Sequence, residues 1–156
     1  MHSFLDWCSR TGAIVAIRES GFGMPAVQAV HLVGLTILLA AILVLHLRLA
    51  GAGMGEWSLP DIERQLRPCA LAGLTLIVIS GMVMFLANPT KYLASGPFLY
   101  KMSALSVAVV SQFGVLRRFF RTDPDVRPRA LNLTVAVLSL TLWFSVGWAG
   151  RAIAFV

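Results

Sequence analysis

The amino-acid sequence predicts an all-α integral membrane protein, built as a four-helix up-down bundle with an N-terminal interfacial amphipathic helix. Hydrophobic residues make up 58% of the chain and charged residues only 13%, whereas about 25% of the residues in a soluble domain are charged. The apolar residues form four stretches, each long enough to cross a hydrocarbon layer about 30 Å thick. Short connectors separate the stretches, and such connectors favour antiparallel neighbours.

The predicted spans cover residues 25–49, 67–87, 98–116 and 130–149 of a single domain, 1–156. Pro25 suits the first turn of the first span. Glycines and Pro60 mark residues 50–66 as a polar connector. Residues 3–19 mix apolar and charged positions in the pattern of a helix that lies on the membrane surface. Because charged residues interrupt this segment, we expect it to be retained rather than cleaved as a signal peptide.

The basic residues predict how the chain is oriented in the membrane. Eight of the 13 lysines and arginines flank the connectors after the first and third spans: Arg48, Arg64, Arg67, Arg117, Arg118, Arg121, Arg127 and Arg129. The positive-inside rule places these connectors in the cytoplasm and both termini on the periplasmic or extracellular side. The net charge of +6 therefore indicates contact with membrane lipids, and no nucleic-acid partner is expected.

Depth along the helices singles out candidate functional residues. At about 1.5 Å per residue, His31 lies roughly 9 Å inside the outer end of the first span. Several polar or sulfur-bearing side chains lie near the same level: Gln28, Met82, Met84, Asn88, Lys101 and Arg151. Ionisable groups inside a membrane are costly and are usually functional. We therefore predict one polar layer in the outer half of the bundle.

Histidine and methionine together suit haem iron or copper. In this interpretation His31, Met82 and Met84 are candidate metal ligands, and His31, Lys101, Arg151, Asn88 and Gln28 are candidate cofactor-binding residues. The two cations would neutralise haem propionates. The alternatives are that the histidine bonds a neighbouring helix, that the methionines only pack, and that the cations extend to the interface.

Other features of the sequence limit which kinds of metal or haem site are possible. His46 lies about 22 Å along the helix from His31, so one ion cannot bind both, and a structural or headgroup-binding role is expected. No CxxCH motif is present, which excludes covalent haem attachment.

Cys8 and Cys69 are predicted on opposite sides of the membrane, too far apart for a disulfide. Trp143 and Trp148 are expected in the interfacial aromatic belt. No catalytic residues are assigned.

Several segments resemble an uncharacterised family of small bacterial four-helix membrane proteins. They are residues 26–34, 47–49, 91–93, 98–102 and 149–155. That family is distantly similar to the copper-resistance D membrane domain and to the haem-containing bacterial membrane protoporphyrinogen oxidase. The resemblance implies a b-type haem pocket with His31 as axial ligand, and Lys101 matches the oxidase's lysine position. This chain has Leu99 and Leu116 where histidines are expected. The sixth ligand would then come from Met82, Met84 or a neighbouring subunit.

Three functions follow as hypotheses. The first is a membrane protein of the bacterial inner (plasma) membrane that binds haem b, with an electron-transfer or quinone-linked role. The second is a non-enzymatic scaffold or accessory subunit, favoured by small residues such as Ser80 and Gly81 that permit close helix contacts. The third is a copper-binding or copper-transport protein. A bundle of this size has limited room for an enclosed site, which favours a homo-oligomer or a larger membrane complex.

Overall fold

The computed structural model describes residues 9–52, 56–122 and 124–152. Within this part of the chain all regular structure is helical. A short helix, Gly12–Glu19, precedes four helices that are long and apolar enough to cross a membrane. These spans are Gly23–Leu49, Leu59–Ala87, Gly96–Phe120 and Arg129–Arg151. The predicted all-α four-helix membrane bundle is confirmed, and the chain is a multi-pass membrane protein.

The second span begins at Leu59 rather than at about Arg67. Its N-cap is Ser58, whose hydroxyl accepts a hydrogen bond from the Asp61 backbone N–H at 3.3 Å and donates one to the Asp61 carboxylate at 2.6 Å. Pro60 follows in the first turn, where its missing N–H costs no helical hydrogen bond. The proline that was expected to break the chain therefore opens the helix. The third span likewise continues to Phe120 and includes Arg117 and Arg118.

A cluster of buried side chains shows that neighbouring spans are antiparallel. It joins the last turns of the first and third spans to the first turns of the second and fourth. Its members are Leu45, Leu49, Leu59, Ile62, Leu116, Phe120 and Ala136. Because the eight arginines named above lie near this end of the bundle, we call it the arginine-rich end.

A second cluster fills the centre of the bundle with side chains from all four spans. It includes Leu38, Ile42, Ile77, Ala108 and Trp143. Trp143 is only 2% exposed and belongs to this core, which corrects its expected place in the interfacial belt, whereas Trp148 is exposed. The first span packs extensively on the second and the third on the fourth, while the second and third contact each other sparsely.

The first and second spans approach each other closely at two glycines. A Cβ atom on Gly73 would lie 2.7 Å from the backbone nitrogen of Leu38 and 2.8 Å from the carbonyl oxygen of Gly34. A Cβ atom on Gly34 would lie 2.8 Å from the Cβ of Leu76. No side chain fits in these positions, so glycine is what allows the two backbones to meet.

The short helix Gly12–Glu19 packs on the first two spans through Ile14, its buried residue. Its predicted position on the membrane surface stays a prediction. The beginning of the predicted 3–19 helix and Cys8 lie outside the described residues. Cys69 is exposed and has a free thiol.

Candidate functional site

His31 is held between the first and second spans by a hydrogen bond from its ring. Its Nδ1 lies 2.9 Å from the Ser80 hydroxyl oxygen. Ser80 is buried, and its own hydroxyl donates to the carbonyl oxygen of Leu76 at 2.5 Å. Because this donation uses the hydroxyl proton, the oxygen of Ser80 accepts from Nδ1–H. The network therefore assigns the proton of His31 to Nδ1 and leaves the lone pair on Nε2.

The side-chain hydrogen bond of His31 is made through Nδ1, and the backbone of Ile77 is a further hydrogen-bond partner of the ring. The same ring lies against Gly81, where an added Cβ atom would be 3.4 Å from Cε1 of His31. A larger side chain at position 81 would press on the imidazole. The second span thus supplies a hydrogen-bond acceptor for one nitrogen and a glycine against which the ring packs.

Lys101 approaches this histidine from the third span. It is half-buried, and its positive charge lies close enough to interact electrostatically with His31. The side chain extends over Gly150 of the fourth span, where an added Cβ atom would lie 3.3 Å from the Lys101 Nζ. The imidazole of His31 and the ammonium group of Lys101 therefore lie in the same region of the bundle. Residues of all four spans surround this region.

The other predicted site residues differ in how close they lie to His31 and in how exposed they are. Met82 is 60% exposed on the outside of the bundle. Met84 is half-buried and lies one turn beyond Ser80 and Gly81, on the same face of the helix. Gln28, Asn88 and Arg151 are exposed. Across the described residues, no group of three or more His, Cys, Asp or Glu side chains is arranged to hold a metal ion.

An apolar groove lies between the first and second spans near this level. It has a volume of about 240 Å³ and is lined by Ala26, Val27, Val30, Leu76, Ile79, Ser80 and Val83. Ser80 therefore contributes both to the groove and to the hydrogen bond with His31. The sequence identified Ser80 only as a small residue. Its depth, about 10 Å from the end of the span at Ala87, was the signal that could have paired it with His31.

His46 is placed differently from His31. It is fully buried at the arginine-rich end, donates from Nδ1 to the carbonyl oxygen of Ile42 at 2.7 Å, and meets Phe120 edge-on at 5.3 Å. A headgroup contact by this side chain is excluded by its burial. Its Nε2 is buried without a hydrogen-bond partner among the described residues.

A protein-family model described as "Family of unknown function (DUF6644)" matches residues 3–156. The chain belongs to this family. No curated protein and no solved structure matches it. Membership therefore assigns no activity, and the resemblance to the copper-resistance D domain and to the haem-containing oxidase stays a prediction.

Proposed function

We propose that this protein is a component of the bacterial inner membrane that binds a b-type haem through Nε2 of His31 and takes part in electron transfer. The observation that carries the proposal is the hydrogen bond from Nδ1 to Ser80. Histidines that ligate metals almost always donate their second ring N–H to a protein acceptor, which fixes the tautomer and the ring orientation. His31 has this arrangement, with Nε2 left as the donor atom for iron.

The residues around His31 fit the other requirements of a haem in part. Lys101 would pair with one propionate, and Arg151, at the end of the fourth span, is the candidate for the other. The apolar groove beside Ser80 has a volume of about 240 Å³ and is not lined by His31; it is also smaller than the roughly 300–1,000 Å³ of pockets that enclose small ligands. A haem on His31 would therefore need space outside this groove, and the proposal requires a second copy or a larger membrane complex to cover the macrocycle. When bound, the haem supplies the one-electron couple.

Absorbance spectroscopy tests the proposal directly. The protein would be expressed with a haem precursor, purified in detergent and scanned in the oxidised and reduced states. We expect a Soret band, and reduced-state bands typical of a b-type haem. A colourless protein that is folded and assembled would reject haem binding and would favour the scaffold hypothesis.

We expect Met84 rather than Met82 to be the sixth ligand if one chain supplies both. Met84 lies on the face of the second span that touches His31, whereas Met82 is directed outwards. Met84→Leu should shift the reduction potential and the visible spectrum of the haem, because a thioether ligand raises the potential. Met82→Leu is the matched control and should leave both unchanged. Equal spectra for the wild type and Met84→Leu would exclude this ligand.

Copper binding receives less support than haem binding. A copper site would need several soft ligands to converge, and the exposed position of Met82 separates it from His31 and Met84. Titration with Cu(I) in place of haem distinguishes the two. Stoichiometric Cu(I) binding that His31→Ala removes would favour the copper hypothesis.

A further inference from the structure

A small cavity with a mainly apolar accessible surface lies at the arginine-rich end, far from His31. Its lining combines charged, amide and apolar side chains from the first three spans: Leu45, Glu63, Arg67, Ala70, Gln112, Phe113, Arg117 and Phe120. The enclosed space is about 20 Å³, which admits a single water-sized group. A larger ligand would place only its tip inside the cavity.

Three polar atoms of this lining are buried and have no hydrogen-bond partner among the described residues. They are Nε of Arg67, Nε of Arg117 and Oε1 of Gln112. Gln112 is only 5% exposed. Buried polar groups without partners cost free energy, so such groups are normally satisfied by water or by a ligand. The residues that carry these two donors and this acceptor line the same small cavity.

The charges around the cavity favour an anion. Glu63 also lines it, but among the described residues the ion pair at the start of the second span is Arg64 with Asp61, at 3.6 Å. Neither guanidinium is therefore neutralised by a direct contact, and the lining carries two positive charges and one negative charge. Two cations beside one partly buried space repel each other unless an anion lies between them.

The backbone is shaped so that Gln112 faces this space. Buried positions in the third span recur every four residues, at Ala104, Ala108, Gln112, Leu116 and Phe120. An ideal α-helix rotates such a series by about 40° at each step. The wide π-helical turn Ser111–Val115 interrupts the α-helix within this series and keeps Gln112 and Phe120 on one face. Turns of this kind are frequent at functional sites.

We propose that Arg67, Arg117 and Gln112 bind a phosphodiester anion that carries a neighbouring hydroxyl, the chemistry of a glycerol-type phospholipid headgroup. The two guanidiniums bind the phosphate at the mouth of the cavity, and the hydroxyl enters it and donates to the Gln112 amide oxygen. Basic pockets between spans on the cytoplasmic side bind anionic headgroups, and the positive-inside rule predicts that side for this end. The inference is independent of haem binding.

The test compares two double variants that change the net charge equally. Arg67→Gln with Arg117→Gln removes the proposed site, whereas Arg64→Gln with Arg118→Gln removes exposed arginines from the same two spans. Binding of phosphatidylglycerol to the detergent-solubilised protein is measured by native mass spectrometry, with phosphatidylcholine as the neutral reference. We expect at least a tenfold loss of phosphatidylglycerol affinity in the first double variant, and little change in the second.

Two further arms separate the remaining explanations. Inorganic phosphate alone should not compete with the lipid, and full competition would overturn the lipid assignment. Gln112→Leu should weaken binding of phosphatidylglycerol but not of phosphatidic acid, which has no headgroup hydroxyl. Equal loss in both double variants would show unspecific attraction and overturn the proposal. A wild type that binds phosphatidylglycerol and phosphatidylcholine equally would also overturn it, leaving a cavity for one water only.

Discussion

Replacing His31 with alanine is expected to abolish the Soret absorbance of the purified protein. The substitution removes the Nε2 lone pair, which stays available when Nδ1 donates its hydrogen bond to Ser80. Without an axial ligand, a b-type haem has no covalent link to hold it in a detergent micelle. The haem-to-protein ratio, from pyridine haemochrome absorbance and protein concentration, should fall from near one per site to background.

Two control variants make this result specific. Met82→Leu changes an exposed side chain at a similar depth and should keep the full haem content. Ser80→Ala leaves Nε2 of His31 in place but removes the acceptor of Nδ1–H, so haem affinity should fall by about 10- to 100-fold. Full haem content in His31→Ala, with helicity unchanged by circular dichroism, would show that this histidine is not the ligand.

Replacing Gly73 with alanine is expected to lower the free energy of unfolding of the bundle by about 1–3 kcal/mol. The new Cβ would lie 2.7 Å from the backbone nitrogen of Leu38. A backbone atom cannot rotate away as a flexible side chain can, so the first and second spans must separate. Thermal unfolding in detergent, followed by circular dichroism at the helical band, measures the effect.

Gly147→Ala is the control, because we expect it not to lower the free energy of unfolding. Gly147 lies within the fourth span, and a Cβ atom there would meet nothing within 4 Å. Alanine also has the higher helix propensity, by about 1 kcal/mol, so this variant should be neutral or slightly more stable. A Gly73→Ala protein as stable as the Gly147→Ala protein would contradict the close helix contact.

The four spans could be predicted because apolar stretches of membrane length have few alternatives. The boundaries of the spans are harder to predict, because proline occurs both at the ends and at the beginnings of helices. Pro60 is typical of a connector, and Ser58 and Asp61 are both possible N-caps in the sequence; the structure shows Ser58 as the cap, with Pro60 in the first turn. Glycines gave a similarly incomplete signal, since the contact between Gly34 and Gly73 depends on a pairing of two helices that sequence periodicity does not specify.

The candidate site was predictable in depth but not in direction around each helix axis. Counting residues placed His31, Met82, Met84 and Lys101 near one level. Met82 and Met84 point in different directions around the axis of the second span, so that Met82 is exposed and Met84 is half-buried. The hydrogen bond between His31 and Ser80 depends on the packing of neighbouring spans, and the small cavity at Gln112 depends also on a local departure from α-helical geometry. Neither leaves a clear mark in a single sequence.

The sparse contact between the second and third spans affects how the bundle assembles in the bilayer. Each half of the chain contains a helix pair with its own extensive packing, and the two pairs meet mainly where the first span touches the fourth. Biosynthesis can therefore deliver two preassembled hairpins, one after the other, which dock sideways within the lipid. The segment between these halves contains the short helix Pro89–Leu93, and severing the chain there should leave two fragments that still recognise each other.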